Sequence, residues 1–348
     1  MSALLDRPPY APRDDALFLA EMTALTRAHL AGCASYRRMW PAWKDAERAR
    51  DLPFVHVTVF KHVDLRTEAP GIVHQRTLRS SATTGANPSR VSLDAKSTEL
   101  QGRSTRAILA DFVGAEKRPL FVLDSAAALR ERGGVSARVA AALALQPFAS
   151  EIHFLLTDAA DPASLRWEVV EQVLGAQREA LVYGFTWMLW LAWARSTRPP
   201  AAEEALRGKT LHFVHSGGWK KLESLAVERA TFDARLLAGL APDSRVVDYY
   251  GLVEQVGVIH PLCSSGARHV PAWSEVLVRD PRDLAVLEEG AGQLQLMNTL
   301  AHGAPYHSVL TEDVGRILPG VCPCGRAGRR FELLGRVLEA ETRGCANV

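Results

Sequence analysis

Apolar and polar positions follow two rhythms along this chain. Asp14 and Asp15 precede Phe18, Met22 and Leu25, an i, i+4, i+7 spacing that predicts a helix capped by the aspartates and closing near Gly32. Trp40, Pro41 and Trp43 break that pattern. Residues 53–60 alternate and are rich in β-branched side chains, which predicts a strand. Then come a predicted helix over 97–112, a buried strand over 119–124, an alanine-rich helix over 135–145, a strand over 151–156 and a helix over 164–178. The run 181–194 is apolar all round, with Tyr183, Phe185, Trp187, Met188, Trp190 and Trp193, and predicts a buried helix. A short helix over 201–208 leads to a strand over 211–215 that runs straight into Ser216-Gly217-Gly218. A strand over 244–250 ends in a loop carrying Glu254. This alternation predicts a largely parallel α/β sheet with helices on both faces. From there the texture changes: 273–278, 292–297 and 315–318 are short strands set apart by Pro281, Gly290 and Gly303, which predicts an antiparallel unit.

Composition narrows the class. The 348 residues are 47% hydrophobic and 23% charged, enough for a sizeable core, and a net charge of +2 implies no nucleic-acid-binding surface. The run 181–194 is too short to span a bilayer comfortably, and the first residues contain no apolar signal core, so a cytoplasmic protein is expected. The five cysteines are then thiols or metal ligands rather than disulfides. The expected organisation is an α/β core over 1–255, an antiparallel β unit over 256–336 and a tail over 337–348.

One stretch stands out chemically. Ser80-Ser81-Ala82-Thr83-Thr84-Gly85 places four hydroxyls and a glycine together without a bulky side chain. Such a loop brings N–H groups and hydroxyls close to an anion, or is simply a solvated Ser/Thr turn. It is not a Walker loop, which needs Gly-Lys-Ser/Thr opening a helix. Downstream lie Tyr249-Tyr250-Gly251 followed by Glu254, then Thr311-Glu312-Asp313, then Gly335-Arg336.

In this order the four stretches resemble the adenylate-forming enzymes, which activate carboxylates with ATP. The finer resemblance is to the LuxE-type acyl-protein synthetases, the fatty-acid-activating component of bacterial luciferase systems. It rests on Phe60-Lys61, the Ser80 loop, Gly217-Gly218-Trp219-Lys220-Lys221, the segment from Tyr250 to Gln255, His269-Val270-Pro271, Cys322-Pro323-Cys324-Gly325-Arg326 and Arg343-Gly344-Cys345, and covers nearly the whole chain. It implies the N-terminal-domain fold of adenylate-forming enzymes with an appended antiparallel unit, and no mobile C-terminal domain after Arg336. The catalytic lysine of that domain then has no counterpart, and Lys220 with Lys221 is either its replacement or a solvated pair. Two smaller departures are Ala82, where a glycine is usual, and Ser89-Arg90, where many relatives have a lysine.

The resemblance also implies roles. Ser80, Ser81, Thr83, Thr84 and Gly85 would hold the β- and γ-phosphates of ATP. Gly217 and Gly218 would face adenine, with Tyr249 or Tyr250 stacking on it beside Gly251. Glu254 would ligate Mg²⁺, a cation that prefers hard oxygen ligands. Asp313 would accept from the ribose hydroxyls, and Arg336 would approach the ribose or phosphate. One face of 181–194 would line an acyl pocket for a fatty or aryl acid. Cys345, near the C-terminus, would receive the acyl group and swing between the adenylate and a partner, an acyl reductase or acyl-carrier protein. The enzymatic rival is a phenylacetate-type acyl-CoA ligase. The rival of another class is a nucleotide-binding scaffold subunit without activity.

A separate signal comes from the remaining cysteines. Cys322 and Cys324 sit in a Pro/Gly turn, and Cys263 lies shortly before His269. These four would close a tetrahedral zinc site, with His260 as a competing fourth ligand, or they are small core thiols.

Overall fold

The computed structural model describes residues 2–80, 87–127 and 137–337. Contacts divide the described chain into two units, one of residues up to Ile108 together with those from Gly251 onward, the other Leu109–Tyr250. The expected division near 255 thus gives way to one in which the first hundred residues group with the antiparallel strands. The cause is pairing between segments remote in sequence, which composition does not display.

The first unit opens with α1 (Asp15–Gly32) and α2 (Ala34–Met39). Asp14 caps α1 by accepting from the Leu17 N–H at 2.9 Å. The buried stripe of α1 is Phe18, Met22, Leu25, Thr26 and His29, and its apolar members share a core with Trp273, Leu277 and Met297. Each large side chain so buried stabilises by about 1.5–3 kcal/mol. The predicted strand over 53–60 is cut short. Only β1 (Val55–His56) is extended, running parallel to the register positions Val309 and Leu310, and a short helix α3 (Val59–His62) follows. The turn between them is made by Thr58, which is helical at φ −66°, ψ −22°, with its hydroxyl 2.7 Å from His56 Nδ1. Strands β2 (His74–Arg79) and β3 (Arg90–Asp94) form an antiparallel pair, and α4 (Ala95–Val113) follows directly.

The second unit runs through β4 (Arg118–Val122), α5 (Ala137–Ala144), β5 (Ala149–Phe154), α6 (Trp167–Ala176) and β6 (Glu179–Phe185). After β6 come α7 (Thr186–Met188), α8 (Pro200–Leu206), β7 (Thr210–Ser216), α9 (Arg229–Leu237) and β8 (Arg245–Tyr250). Its strands lie in the order β5-β4-β6-β7-β8, all parallel. The predicted helix over 181–194 is therefore half strand. Ala180, Leu181 and Val182 are fully buried between β4 and β7, and a strand covered on both faces is as uniformly apolar as a buried helix. Helix begins only at Thr186 and widens over Leu189–Ala194 into a π turn, where Arg195 N–H donates to Trp190 O at 2.9 Å. Trp167, Trp190, Trp193, Phe213 and Phe232 form the core of this unit.

The chain returns to the first unit with β9 (His260–Pro261), β10 (Arg268–His269), β11 (Ser274–Arg279), β12 (Val286–Leu287), β13 (Gly292–Asn298), β14 (Ser308–Ile317) and β15 (Arg330–Arg336). Among the described residues the sheet order is β10-β15-β14-β13-β11-β12, antiparallel throughout, with β1 added in parallel to β14. The strand expected over 315–318 is the end of the much longer β14.

Candidate active site and thiol cluster

The first unit gathers its acids around β14. Thr311 fixes the strand locally: its hydroxyl donates to Leu294 O at 2.9 Å and accepts from Asp313 N–H at 3.1 Å. Asp313 stands opposite Arg336 in the β14–β15 register. Arg336 Nε is 3.1 Å from Asp313 Oδ1, and its Nη1 is 3.7 Å from Glu312 Oε2. Gly335, at φ +141°, gives the backbone a conformation that L side chains rarely adopt just before this arginine.

Glu254 lies in a short 3₁₀ turn, Val253–Gln255, and is 5% exposed. Burial pushes its carboxyl above the usual carboxylate range. The Ser89 hydroxyl and the Lys61 ammonium pull the other way, and the neighbouring Asp313 charge adds to the rise. The turn is held by its next residue. Gln255 Nε2 donates to Tyr306 O at 2.8 Å, and Gln255 Oε1 accepts from Asn298 Nδ2 at 2.9 Å. Asn298 Oδ1 accepts in turn from Leu300 N–H, and Gln101 Nε2 donates to the Tyr306 hydroxyl. A chain of buried amides thus aims the one carboxylate.

Ser80 closes the β2–β3 pair. Its N–H donates to Ser89 O at 3.1 Å, and its hydroxyl accepts from Ser89 N–H at 2.9 Å. Ser81, Thr83, Thr84, Gly85 and Cys345 lie outside the described residues, as does the side chain of Lys220. The structure therefore brings Glu254, Asp313 and Arg336 together and adds Ser89, Lys61 and Glu312, to which the motifs assign no role. Ser89 was visible as the end of the Ser/Thr stretch. Lys61 fell next to a stretch read as extended strand.

In the second unit, polar side chains collect at the carboxyl ends of the parallel strands, where open α/β sheets place ligands. Gly217 and Gly218 follow β7 at φ +87° and +50°. A Cβ on Gly217 would lie 3.2 Å from the Phe185 ring, so the turn sits flat against that aromatic. The Thr186 hydroxyl donates to Ser216 O at 3.1 Å and stands 2.9 Å from His215 Nδ1, which must then carry the proton. Burial raises the pKa of the neighbouring Tyr183 and Tyr249 phenols. Of the two expected stacking candidates, Tyr250 is 4% exposed whereas Tyr249 keeps more of its surface. Gly251 follows β8 directly. Leu191, in the run expected to line an acyl pocket, borders an open cleft of about 530 Å³ with Leu165, Trp167 and Arg195, whereas Tyr183, Phe185, Trp187 and Met188 of that run enclose about 10 Å³ with Leu123 and Asp124. That is room for about one water.

The thiol cluster belongs to the first unit. Cys263, His269, Cys322 and Cys324 bring one ligand atom each within 4.8 Å of one another. Cys263 Sγ and Cys322 Sγ are 3.7 Å apart, and Cys324 Sγ is 3.3 Å from His269 Nε2. With Zn–S near 2.3 Å and Zn–N near 2.0 Å, a tetrahedron has edges of about 3.8 Å and 3.5 Å, so the donors fit. Two turns assemble them. One is closed by Cys263 N–H to Ala267 O, the other by Gly325 N–H to Cys322 O. The cluster excludes His260, whose ring packs edge-on to Phe331 at 5.1 Å with Nδ1 3.1 Å from His269 O. Burial works to raise both Cys263 and Cys322. It prevails at Cys263, while bonds from Cys324, Cys263 and Arg330 bring Cys322 down to about 7.

Comparison with known proteins adds three findings. A family model described as acyl-protein synthetase, LuxE, matches residues 9–348. A long-chain-fatty-acid–luciferin-component ligase from Aliivibrio fischeri is 25% identical over 142 residues, 40% of this chain and 37% of that protein, so the aligned part spans well under half of the relative. A 2-hydroxyisobutyryl-CoA ligase shares the fold. Its postadenylation state with 2-HIB-AMP superposes with a TM-score of 0.64 at 16% identity, covering 95% of this chain and 70% of that one. Its open conformation, with 2-HIB-AMP and CoA, gives 0.65 at 15% identity, covering 95% and 77%.

Proposed function

Because the chain belongs to the LuxE acyl-protein synthetase family, we propose that it activates a carboxylic acid with ATP and passes the acyl group to a protein thiol. An acid oxygen attacks the α-phosphorus, the bond to the bridging oxygen breaks, and pyrophosphate leaves with the electron pair. A thiolate then attacks the acyl carbon and AMP departs. The observation that carries this reading is Glu254, a buried carboxylate set beside Ser89, Lys61 and Asp313. A carboxylate whose ionised form is opposed by burial and a neighbouring acid is suited to a dication, so Glu254 would hold Mg²⁺, which supplies charge neutralisation on the phosphates. Asp313 and Arg336 would bind the ribose end of the nucleotide, Ser80 with its loop the phosphates, and the Gly217–Gly218 turn with Tyr249 the adenine. Cys263, His269, Cys322 and Cys324 would hold a structural zinc.

The acyl acceptor in this reading is Cys345. Fully extended, nine residues from Arg336 to Cys345 would reach about 30 Å, enough for a covalent carrier arm that delivers to an acyl reductase or acyl-carrier partner. No helix among the described residues is long and apolar enough to cross a membrane. The test is a screen of fatty and aryl acids with ATP, trapping adenylate with hydroxylamine. Hydroxamate without coenzyme A is expected, and Cys345→Ser should still form adenylate while stable labelling of the protein by radiolabelled acid disappears. Turnover that requires coenzyme A would mark a CoA ligase instead. No hydroxamate and no pyrophosphate with any acid would mark a non-catalytic nucleotide-binding subunit.

A further inference from the structure

Three acids of the first unit, Glu254, Glu312 and Asp313, gather near two cations. Arg336 is committed to Asp313 and Glu312. The other cation, Lys61, acts electrostatically on Glu254 without forming an ion pair among the described residues. Its place is set by the backbone rather than by a carboxylate. Val57 N–H donates to Leu310 O at 2.9 Å, which pins the segment to β14 shortly before Asp313. Val63 N–H closes the α3 turn on Val59 O at 2.8 Å, and Phe60, with no exposed surface, anchors it. The helix packs beside β3, whose preceding residue Ser89 lowers the Glu254 pKa, and the Glu254 turn packs on β3 as well. A partly buried lysine is thus held by a bonded turn next to a buried acid and a hydroxyl, and its ammonium makes no ion pair or side-chain hydrogen bond among the described residues.

We infer that Lys61 binds phosphate oxygens of ATP, as a cation built into the first unit. The inference rests on the ATP-dependent reading above and names a residue for it. An ammonium offers three donors to an anion as a compact charge, and the backbone bonds of α3 fix the residue that carries it. With a dication at Glu254, the acid next to Lys61 would be neutralised and the ammonium left to the phosphate chain. The attraction should act on the phosphates and not on the nucleoside.

The experiment compares equilibrium binding of MgATP and of adenosine to the intact protein and to Lys61→Gln and Lys61→Arg, with ATP–pyrophosphate exchange measured alongside. In Lys61→Gln the Kd for MgATP should rise at least about tenfold, while the Kd for adenosine stays within about twofold. Lys61→Arg, which keeps the charge, should recover most of the loss. Exchange should fall at least as far as MgATP binding. A MgATP Kd in Lys61→Gln within about twofold of the parent would overturn the assignment, and so would equal weakening for MgATP and adenosine. If the parent exchanges pyrophosphate with no acid at all, the adenylation reading fails, and the two binding constants still decide the role of Lys61.

Discussion

Glu254 shows what a single residue must reconcile. Its burial opposes the ionised form, yet the proposed chemistry needs a carboxylate at that spot. Ser89 and Lys61 offset part of the penalty, and Asp313 adds to it. The same imbalance has a stability consequence with a definite sign. A carboxyl raised above its unfolded value costs stability where it is ionised in both states, and nothing where both states are protonated. Glu254→Gln should therefore melt higher than the parent near pH 8, and the gap should close as the pH falls to about 4.5, the ordinary range of a glutamate. Thermal melts across that range check it. The same variant should adenylate at least about tenfold more slowly with little change in ATP affinity, because a contact on the transferring group matters most in the transition state. Asp313→Ala should do the reverse, weakening ATP binding first. It also strands Arg336, which is 12% exposed at the side chain and has Asp313 as its nearer carboxylate. If both variants match the parent in binding and rate, the site lies elsewhere.

Elements matter through what holds them in place. The 3₁₀ turn bearing Glu254 has only three residues and would not persist alone. Its stability comes from Gln255, whose amide bonds Tyr306 O and Asn298 from within the core. Gln255→Ala should destabilise the fold by about 1–3 kcal/mol, since it removes two buried amide bonds and leaves Asn298 Nδ2 and Tyr306 O only their own 3.4 Å contact. Urea denaturation measures this directly, and pyrophosphate exchange should fall with it because Glu254 loses its mounting. A second mounting is the thiol cluster, which joins the turn between β9 and β10 to the turn that precedes β15. That strand ends at Arg336. Purified protein never exposed to chelator should contain close to one equivalent of zinc, and Cys322→Ala should contain less than a tenth as much. Elemental analysis of both proteins decides it, and a parent that is itself below a tenth would reduce the cluster to packed thiols.

At the scale of the molecule, acid should be the weak side of the fold. His29, in α1, has Nδ1 2.7 Å from the Thr67 hydroxyl and Nε2 2.9 Å from Ala301 O, and its ring lies 4.7 Å from that of His307. Burial lowers His29 to about 3 and His302 to about 4, and takes His307 well below its ordinary value. These histidines are neutral in the folded chain, and the unfolded chain takes up protons from about pH 6.5 downward. Stability is then complete above that pH and is lost as the pH falls toward the folded values, by about 1.4 kcal/mol per pH unit for each group in the window. Denaturant midpoints at pH 7, 6 and 5 should fall with increasing slope, and His307→Gln should flatten the decline. A midpoint independent of pH over this range would show that the histidines are not held neutral.

The linear chain determines a good deal here. Alternation and helical spacing locate most strands and helices, because each pattern is written within a few turns of local geometry. The ordered set from Ser80 to Arg336 carries the family and the residues Glu254, Asp313 and Arg336. Cysteine spacing offers a zinc set with two choices for the fourth ligand. Tertiary structure decides the rest. His269 rather than His260 joins the thiols, because β10 pairs with β15 and brings its end to the Cys322 turn. Residues 181–185 are strand rather than helix, because neighbours on both sides make an apolar strand and an apolar helix look alike in one dimension. Lys61 and Ser89 reach Glu254 only through the pairing of β1 with β14 and of β2 with β3. Contacts of that kind depend on segments far apart along the chain, and no local pattern of side chains records which of them will meet.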